Sequence, residues 1–392
     1  MSESNNTQAQ QNTVILSLAG STALHMIRAI SMQFFCLGIS LKYLGIYPAD
    51  GKYPYVQYMV VSVFYVLSGF LIMYSCLSKR ASRQDYGWWD YFANRFVRIY
   101  GALIPGLLFV VCIDYINLRL NPTAYPYPEN YDLGSLIGNL LMLENFPAFR
   151  SIPLFGQRVF GTNRPLWALP VGWWICVLFG LLVYACPKYH KKPVFWLIVA
   201  FCAISPISNV VWGANNGLTF TWLVGALVCV CLFSKAAQEF KLSGLQSCVI
   251  IFFTLILAWK RICKVHSMFQ QVNIVMDFDP LYSALLGAAL FVLLLTAQND
   301  KISLKRIAKP AKVLSGYSFI LYLTHYSLID LLCRTITVRS HPYLMALIIW
   351  VVCNVVAILL HLSFERWMVC LLKKGFVRLQ EFKRWLEVKM YF

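Results

Sequence analysis

Charged residues are scarce in this chain: they make up 13% of its 392 residues. A soluble globular protein carries about one quarter, so too little polar surface is available to cover a water-soluble fold. Acidic residues are the scarcest, with 16 Asp+Glu against 34 Lys+Arg, which leaves a formal net charge of +18. Period-two alternation is also missing from the apolar runs, which excludes a membrane β-barrel. Leu344 to Leu360, for example, is apolar except for Asn354. There is no Gly-rich phosphate loop, no Gly-x-Ser-x-Gly elbow and no His-Glu-x-x-His helix, so the best-known phosphate, serine-hydrolase and zinc-protease devices are excluded. Cysteine is not lacking, but most of the 13 lie inside apolar runs, such as Cys112, Cys176, Cys229 and Cys353. Cysteine behaves there as a small hydrophobe, and no pair has zinc-like spacing near histidines. Neither a disulfide framework nor a metal site is expected.

What the chain has is length of apolar sequence. Hydrophobic residues reach 59% and mean hydropathy is +0.63. Runs long enough to cross a hydrocarbon core of about 30 Å recur throughout, and lipid-exposed backbone must satisfy its own hydrogen bonds. The fold class is therefore all-α: a polytopic membrane protein with about ten transmembrane helices in one bundle. The spans are placed near 26–46, 54–77, 99–118, 166–186, 193–213, 217–234, 246–260, 279–297, 315–334 and 343–364. Residues 15–366 form the transmembrane domain between a disordered cytoplasmic tail at 1–14 and a basic tail at 367–392. The stretch Leu133 to Leu143 is too short to span and is interfacial or re-entrant. Six prolines between Arg119 and Pro165 mark the one large loop, on the outer side. Within the basic tail, Leu371 to Val388 alternates basic and apolar residues at helical spacing, as an amphipathic helix lying on a membrane does.

The basic excess sits in short segments between apolar runs, where it sets orientation and meets anionic lipid. Nucleic acid is not an expected partner; the bilayer is. Lys79, Arg80, Arg95 and Arg98, the lysines near 190, the Lys305–Lys312 cluster and the tail all fall on one side if both termini are cytoplasmic. Lys260, Arg261 and Lys264 go against that trend.

Ionisable groups at membrane depth are functional candidates. Arg28 lies in the first span, three residues after His25. Arg95 and Arg98 are one helical turn apart and share a face, so they can clamp phosphates or a carboxylate or reach the headgroups. His325, near the middle of the ninth span, can serve as a general base or as a packing residue bonded to a carbonyl. Glu365-Arg366 reads as an interfacial ion pair, and Asp114 and Asp330 have no obvious partner. Trp167, Trp173 and Trp174 suit either a substrate platform or interfacial anchoring. By residue chemistry alone, an enzyme, a transporter and a lipid-handling protein remain open.

Several segments, in order, resemble acyltransferase family 3, whose membrane proteins O-acylate sugars and lipids. Leu24-His-Met-Ile-Arg-Ala-Ile-Ser is similar to the family's opening, and Phe64-Tyr-Val-Leu-Ser-Gly-Phe-Leu-Ile to its second span. Arg95-Phe-Val-Arg-Ile-Tyr resembles Arg-x-x-Arg-Ile-Tyr-Pro, with Gly101 in place of proline. Pro165-Leu-Trp, Leu223-Val-Gly-Ala-Leu, Ser315 to Tyr326 and Leu362-Ser-Phe-Glu-Arg complete the series. The resemblance implies an acyl-CoA, such as acetyl-CoA, as donor co-substrate, no bound cofactor, and a glycan or lipid-linked sugar as acceptor. It implies a multi-pass protein of the bacterial inner membrane. Arg28, Ser68, Arg95, Arg98, Tyr100, Tyr322 and Glu365 become candidate substrate-binding residues. The family's histidine beyond the first-span arginine is here Ile39, and its Glu pair after the tryptophan falls in Pro170-Val-Gly-Trp-Trp. His325 is the one centrally placed imidazole to nominate for the catalytic role, and a non-catalytic relative that binds or moves such a substrate is the alternative.

Overall fold

The computed structural model describes residues 15–46, 56–82, 85–120, 122–144, 146–149, 158–211, 217–271, 279–298, 304–335 and 341–390. Among them there are helices and turns and no strand. The tail at 1–14 lies outside the described residues. In chain order the helices are α1 Leu18–Tyr43, α2 Val56–Ser82, α3 Trp88–Leu120, α4 Leu133–Leu140 and α5 Leu169–Gly180. A π-turn carries α5 into α6 Cys186–Tyr189. There follow α7 Pro193–Val211, α8 Leu218–Leu232, α9 Lys235–Glu239, α10 Gly244–Gln271 and α11 Pro280–Gln298. The last are α12 Lys305–Gly316, α13 Ser318–Thr335, α14 Pro342–Leu360 and α15 Arg366–Met390.

Each expected span coincides with a helix. Among the described residues, seven helical segments are long and apolar enough to cross a membrane. Of the other three expected spans, α8 has 15 residues and α13 carries His325, Asp330 and Arg334, while α10 has 28 residues and carries Lys260, Arg261 and Lys264 after its apolar run. The basic cluster in α10 that runs against the orientation trend is partly neutralised: Arg261 donates to both oxygens of Asp279, at 3.0 and 2.6 Å.

The chain forms two compact units. The first contains Met1–Tyr86, Val171–Ile175 and Cys202–Gly316. Its tightest contact joins α2 to α8, and the sequence explains why. A methyl on Gly69 would strike the Trp222 carbonyl oxygen, and one on Gly225 would strike the Val66 carbonyl oxygen. The two glycines thus bring two backbones together as small residues do in membrane helix pairs. Around this contact Leu24, Val66, Phe70, Cys229, Leu232 and Leu294 form a buried apolar core. His25 Nδ1 and Ser315 Oγ lie 2.6 Å apart and fasten α1 to α12. Trp173 and Trp174 are buried, so packing rather than interfacial anchoring describes them.

The second unit contains Gly87–Pro170, Cys176–Phe201 and Tyr317–Phe392. Its spine is α3, which packs on α13 and α15. Gly101 stands where α15 crosses, and a methyl there would strike Val369. That close approach accounts for glycine at this position. α14 runs through a π-turn, His361–Glu365, straight into α15, so the basic tail is the continuation of a spanning helix.

Candidate active site

The second unit collects most of the candidate residues. Arg95 and Arg98 open α3; Arg95 is half-buried with its guanidinium over the Tyr91 ring, 5.6 Å from the centroid. Arg98 is exposed. The two arginines lie three residues apart on α3, which puts them on neighbouring positions of one helix face. Tyr100, one turn further in, stacks on Phe96 with ring centroids 4.1 Å apart. Its hydroxyl donates to the Leu140 carbonyl at 2.8 Å, satisfying one of the carbonyls left open at the end of α4.

His325 is fully buried on α13. Its Nδ1 lies 2.8 Å from the Leu321 carbonyl of its own helix. A carbonyl can only accept, so Nδ1 carries the proton and Nε2 is the basic nitrogen of the neutral ring. One turn before it, the Tyr322 hydroxyl donates to the Pro165 carbonyl. Two sequence motifs about 160 residues apart thereby meet in one hydrogen bond, since the pair is separated by 157 positions.

The two carboxylates expected to lack partners have several. Asp114 accepts from the Thr162 amide at 2.8 Å, the Thr162 hydroxyl at 2.6 Å and the Tyr125 hydroxyl at 3.0 Å. Asp330 is gripped on both oxygens by Arg334, at 2.8 and 3.0 Å, and by the Asn117 amide at 2.9 Å. Asp114 pins the long connection onto α3, while Asp330 ties α13 to α3 and its partner Arg334 donates to the Ala124 carbonyl of the connection. Glu365, expected to pair with Arg366, instead accepts from His361 Nδ1 at 2.7 Å.

Among its described residues, the long connection is partly packed inward. Asn130, Asn139, Glu144, Thr162 and Asn163 within it are all buried. α4 begins at Asp132, whose side chain caps the Ser135 amide at 2.9 Å. Burial works to raise the Asp132 carboxyl, but the hydrogen bonds from Ser135 outweigh it and hold the group below its usual range. The helix ends in a Schellman turn. The Leu143 amide reaches the Gly138 carbonyl at 2.8 Å and the Met142 amide the Asn139 carbonyl at 3.1 Å. Met142 holds φ 57°, the left-handed region where glycine is usual, at roughly 1 kcal/mol. The strained turn delivers Glu144 inward, 1% exposed. Neither of its oxygens has a hydrogen-bond partner among the described residues.

Sequence reasoning missed Glu144. The available signal was a single carboxylate directly after the apolar stretch Leu133 to Leu143. Burial pushes this carboxyl well above its usual range. The sign of the resulting linkage is opposite to that of a salt-bridged acid. Folding favours the protonated form, so stability is full below the unfolded pKa of about 4.3 and declines as pH rises toward the folded value. A melting curve of Glu144→Gln in nanodiscs should therefore fall less than wild type between mildly acid and alkaline pH; equal slopes would contradict a buried neutral acid.

Arg28 and Ser68 belong to the first unit, on α1 and α2, and both are half-buried. Arg95, Arg98, Tyr100, Tyr322, His325 and Glu365 belong to the second. A family profile described as an acyltransferase domain matches residues 21–365. The chain belongs to acyltransferase family 3. No curated relative and no solved structure matches the chain significantly. With seven helices among the described residues long and apolar enough to cross a membrane, this family member is an integral membrane protein. Two of its motif segments, around Gly69 and Gly225, are the two halves of one helix contact.

Proposed function

We propose that this protein moves an acyl group, acetyl in the simplest case, from cytoplasmic acyl-CoA to a hydroxyl of a cell-surface glycan or lipid-linked sugar. The family match over residues 21–365 carries the reading. It extends to a bacterial inner membrane with both termini cytoplasmic, and to acyl-CoA as co-substrate with no resident cofactor. Arg95 and Arg98 are the cations for the phosphates of the donor, since guanidinium forks bind phosphate oxygens in pairs, and Arg28 is a substrate-binding candidate of the first unit. Tyr100, Tyr322, Ser68 and Glu365 are the further substrate-binding candidates.

In acyl transfer the acceptor oxygen bonds to the thioester carbonyl carbon as the carbon–sulfur bond breaks. The hydroxyl proton has to reach the departing thiolate. His325 Nε2, basic because Nδ1 holds its proton on Leu321, takes that proton and returns it to sulfur.

The test is release of free thiol from acetyl-CoA by the purified protein in nanodiscs containing extracted bacterial lipid. Arg98→Ala removes charge-assisted bonds of about 1.5–3 kcal/mol, so KM for acetyl-CoA should rise about 10- to 150-fold. An unchanged KM would remove Arg98 from the donor site. A second reading has one observation of its own. The position of the family's first-span histidine is Ile39, which is 3% exposed within α1 and has no proton to transfer. On that reading the protein binds or translocates an acyl or lipid-linked substrate without reacting it, and acetyl-CoA binds with no thiol release.

A further inference from the structure

The basic tail is fastened to the second unit along its length. α15 runs antiparallel to the first half of α3, and three contacts in succession fix it there. Gly101 lies against Val369. The Phe376 ring meets Phe96 and Trp89 edge-on, with centroids 5.5 and 5.6 Å apart. The Gln380 amide donates to Asp90 at 3.5 Å. Between the two helices this docking leaves an open groove of about 500 Å³, with Phe96, Leu371, Leu372, Phe376 and Leu379 in its apolar lining. A volume of that order is usual for a small-molecule site.

Two features of α15 are unfavourable unless something occupies this groove. Gly375 lines it from inside a helix of 25 residues, where glycine is a poor helix former. No close approach calls for glycine there, since an added methyl would meet no atom within 4 Å. Neither does a left-handed backbone. What the glycine does is leave one wall of the groove without a side chain. The second feature is exposed apolar surface: Leu371 is 48% and Leu379 54% exposed, although the apolar run of α14 ends at Leu360. Basic residues outnumber acidic ones along α15, which suits the headgroup level of a membrane. Lys374 and Arg378 also line the groove; they lie one turn apart and both are exposed. No Asp or Glu is among the described residues that line it.

We propose that this groove binds one anionic phospholipid, with its phosphate on Lys374 and Arg378 and an acyl chain laid along Phe96, Leu372, Phe376 and Leu379. Charge decides the occupant. A guanidinium and an ammonium side by side bind phosphate oxygens, and a lipid of net negative charge brings no cation of its own against them. A second copy of this chain, with a formal net charge of +18, would add like charge instead. The site differs from the general attraction of a basic segment to an anionic leaflet because the groove admits one molecule and grips its chain as well as its headgroup. It lies beyond the acyl-transfer reading and holds whether or not the protein is an enzyme.

The test is native mass spectrometry of the full-length protein in detergent, titrated with phosphatidylglycerol and, separately, with phosphatidylcholine. Wild type should retain one phosphatidylglycerol at concentrations where no phosphatidylcholine adduct appears. Lys374→Gln and Arg378→Gln should each weaken that first binding step about fivefold. Gly375→Leu puts a side chain where the groove is now open, and should remove the one-lipid species while its melting temperature stays near wild type. Leu379→Ser, which breaks the apolar lining, serves if the leucine variant does not fold. Equal retention of the two lipids, or a first step indifferent to these substitutions, would mean diffuse lipid association and overturn the site. Release of the lipid by inorganic phosphate would overturn it in favour of a soluble anion, and release by acetyl-CoA in favour of the donor. A protein dimer that Gly375→Leu dissociates would give the groove to a second copy of the chain and overturn it too.

Discussion

Gly225→Val should abolish stable folding of the first unit. The added carbons would sit on the Val66 carbonyl oxygen, and the obstacle is helix backbone with no rotamer to move. Overpacking a core normally costs about 1–3 kcal/mol because side chains can yield. Here α2 and α8 must separate, so the core around Val66, Phe70, Cys229 and Leu294 opens as well. The expected loss exceeds about 3 kcal/mol. In practice the variant should aggregate on extraction, and Gly69→Val should behave alike because Trp222 opposes it in the same way. The control is Gly375→Ala: nothing lies near that position on α15, and its melting temperature should equal or slightly exceed that of wild type. A monodisperse Gly225→Val protein with an unchanged melting temperature would show that the two helices do not meet at this point.

The second large effect falls on turnover. His325→Ala should lower thiol release from acetyl-CoA about 10²- to 10⁴-fold, the range that a positioned acid–base group contributes. KM for acetyl-CoA should stay near wild type, because the imidazole acts on the acceptor proton and not on the donor phosphates. His325→Ala also removes the hydrogen bond to Leu321, so a melting curve is needed beside the kinetics. His325→Gln is the sharper variant, as it preserves polarity and most of the volume but has no basic nitrogen. Retained activity in His325→Gln would reduce His325 to a packing residue.

These two effects differ in how far the sequence foretells them. The helices were legible because a 30 Å apolar medium demands long apolar runs, and ten such runs stand out in the sequence. The segment around Ser68-Gly69 was legible as a motif, but its role was not, since nothing local says that Gly225 faces it across a contact. The Asp114 partners lie up to 48 residues away, and hydrophobic periodicity carries no information about such pairings. Glu144 was passed over for a different reason. Six prolines marked its segment as outer loop, and loops ordinarily run over the surface. Several of its described residues instead pack inward, fastened by Asp114 and Asn139. The arginine pair and His325 were found because a charge or an imaidazole in an apolar run is conspicuous. Their separation from Arg28 and Ser68 into different units was not visible at the level of motifs.

The most direct test of acyl transfer follows the acyl group itself. Wild-type protein in nanodiscs, supplied with radiolabelled acetyl-CoA and a lipid and glycan extract of a bacterial envelope, should move label into an alkali-labile ester, with one thiol released per label transferred. Binding of acetyl-CoA with neither thiol release nor label in any acceptor would contradict catalysis and leave a membrane protein that recognises its substrate without reacting it.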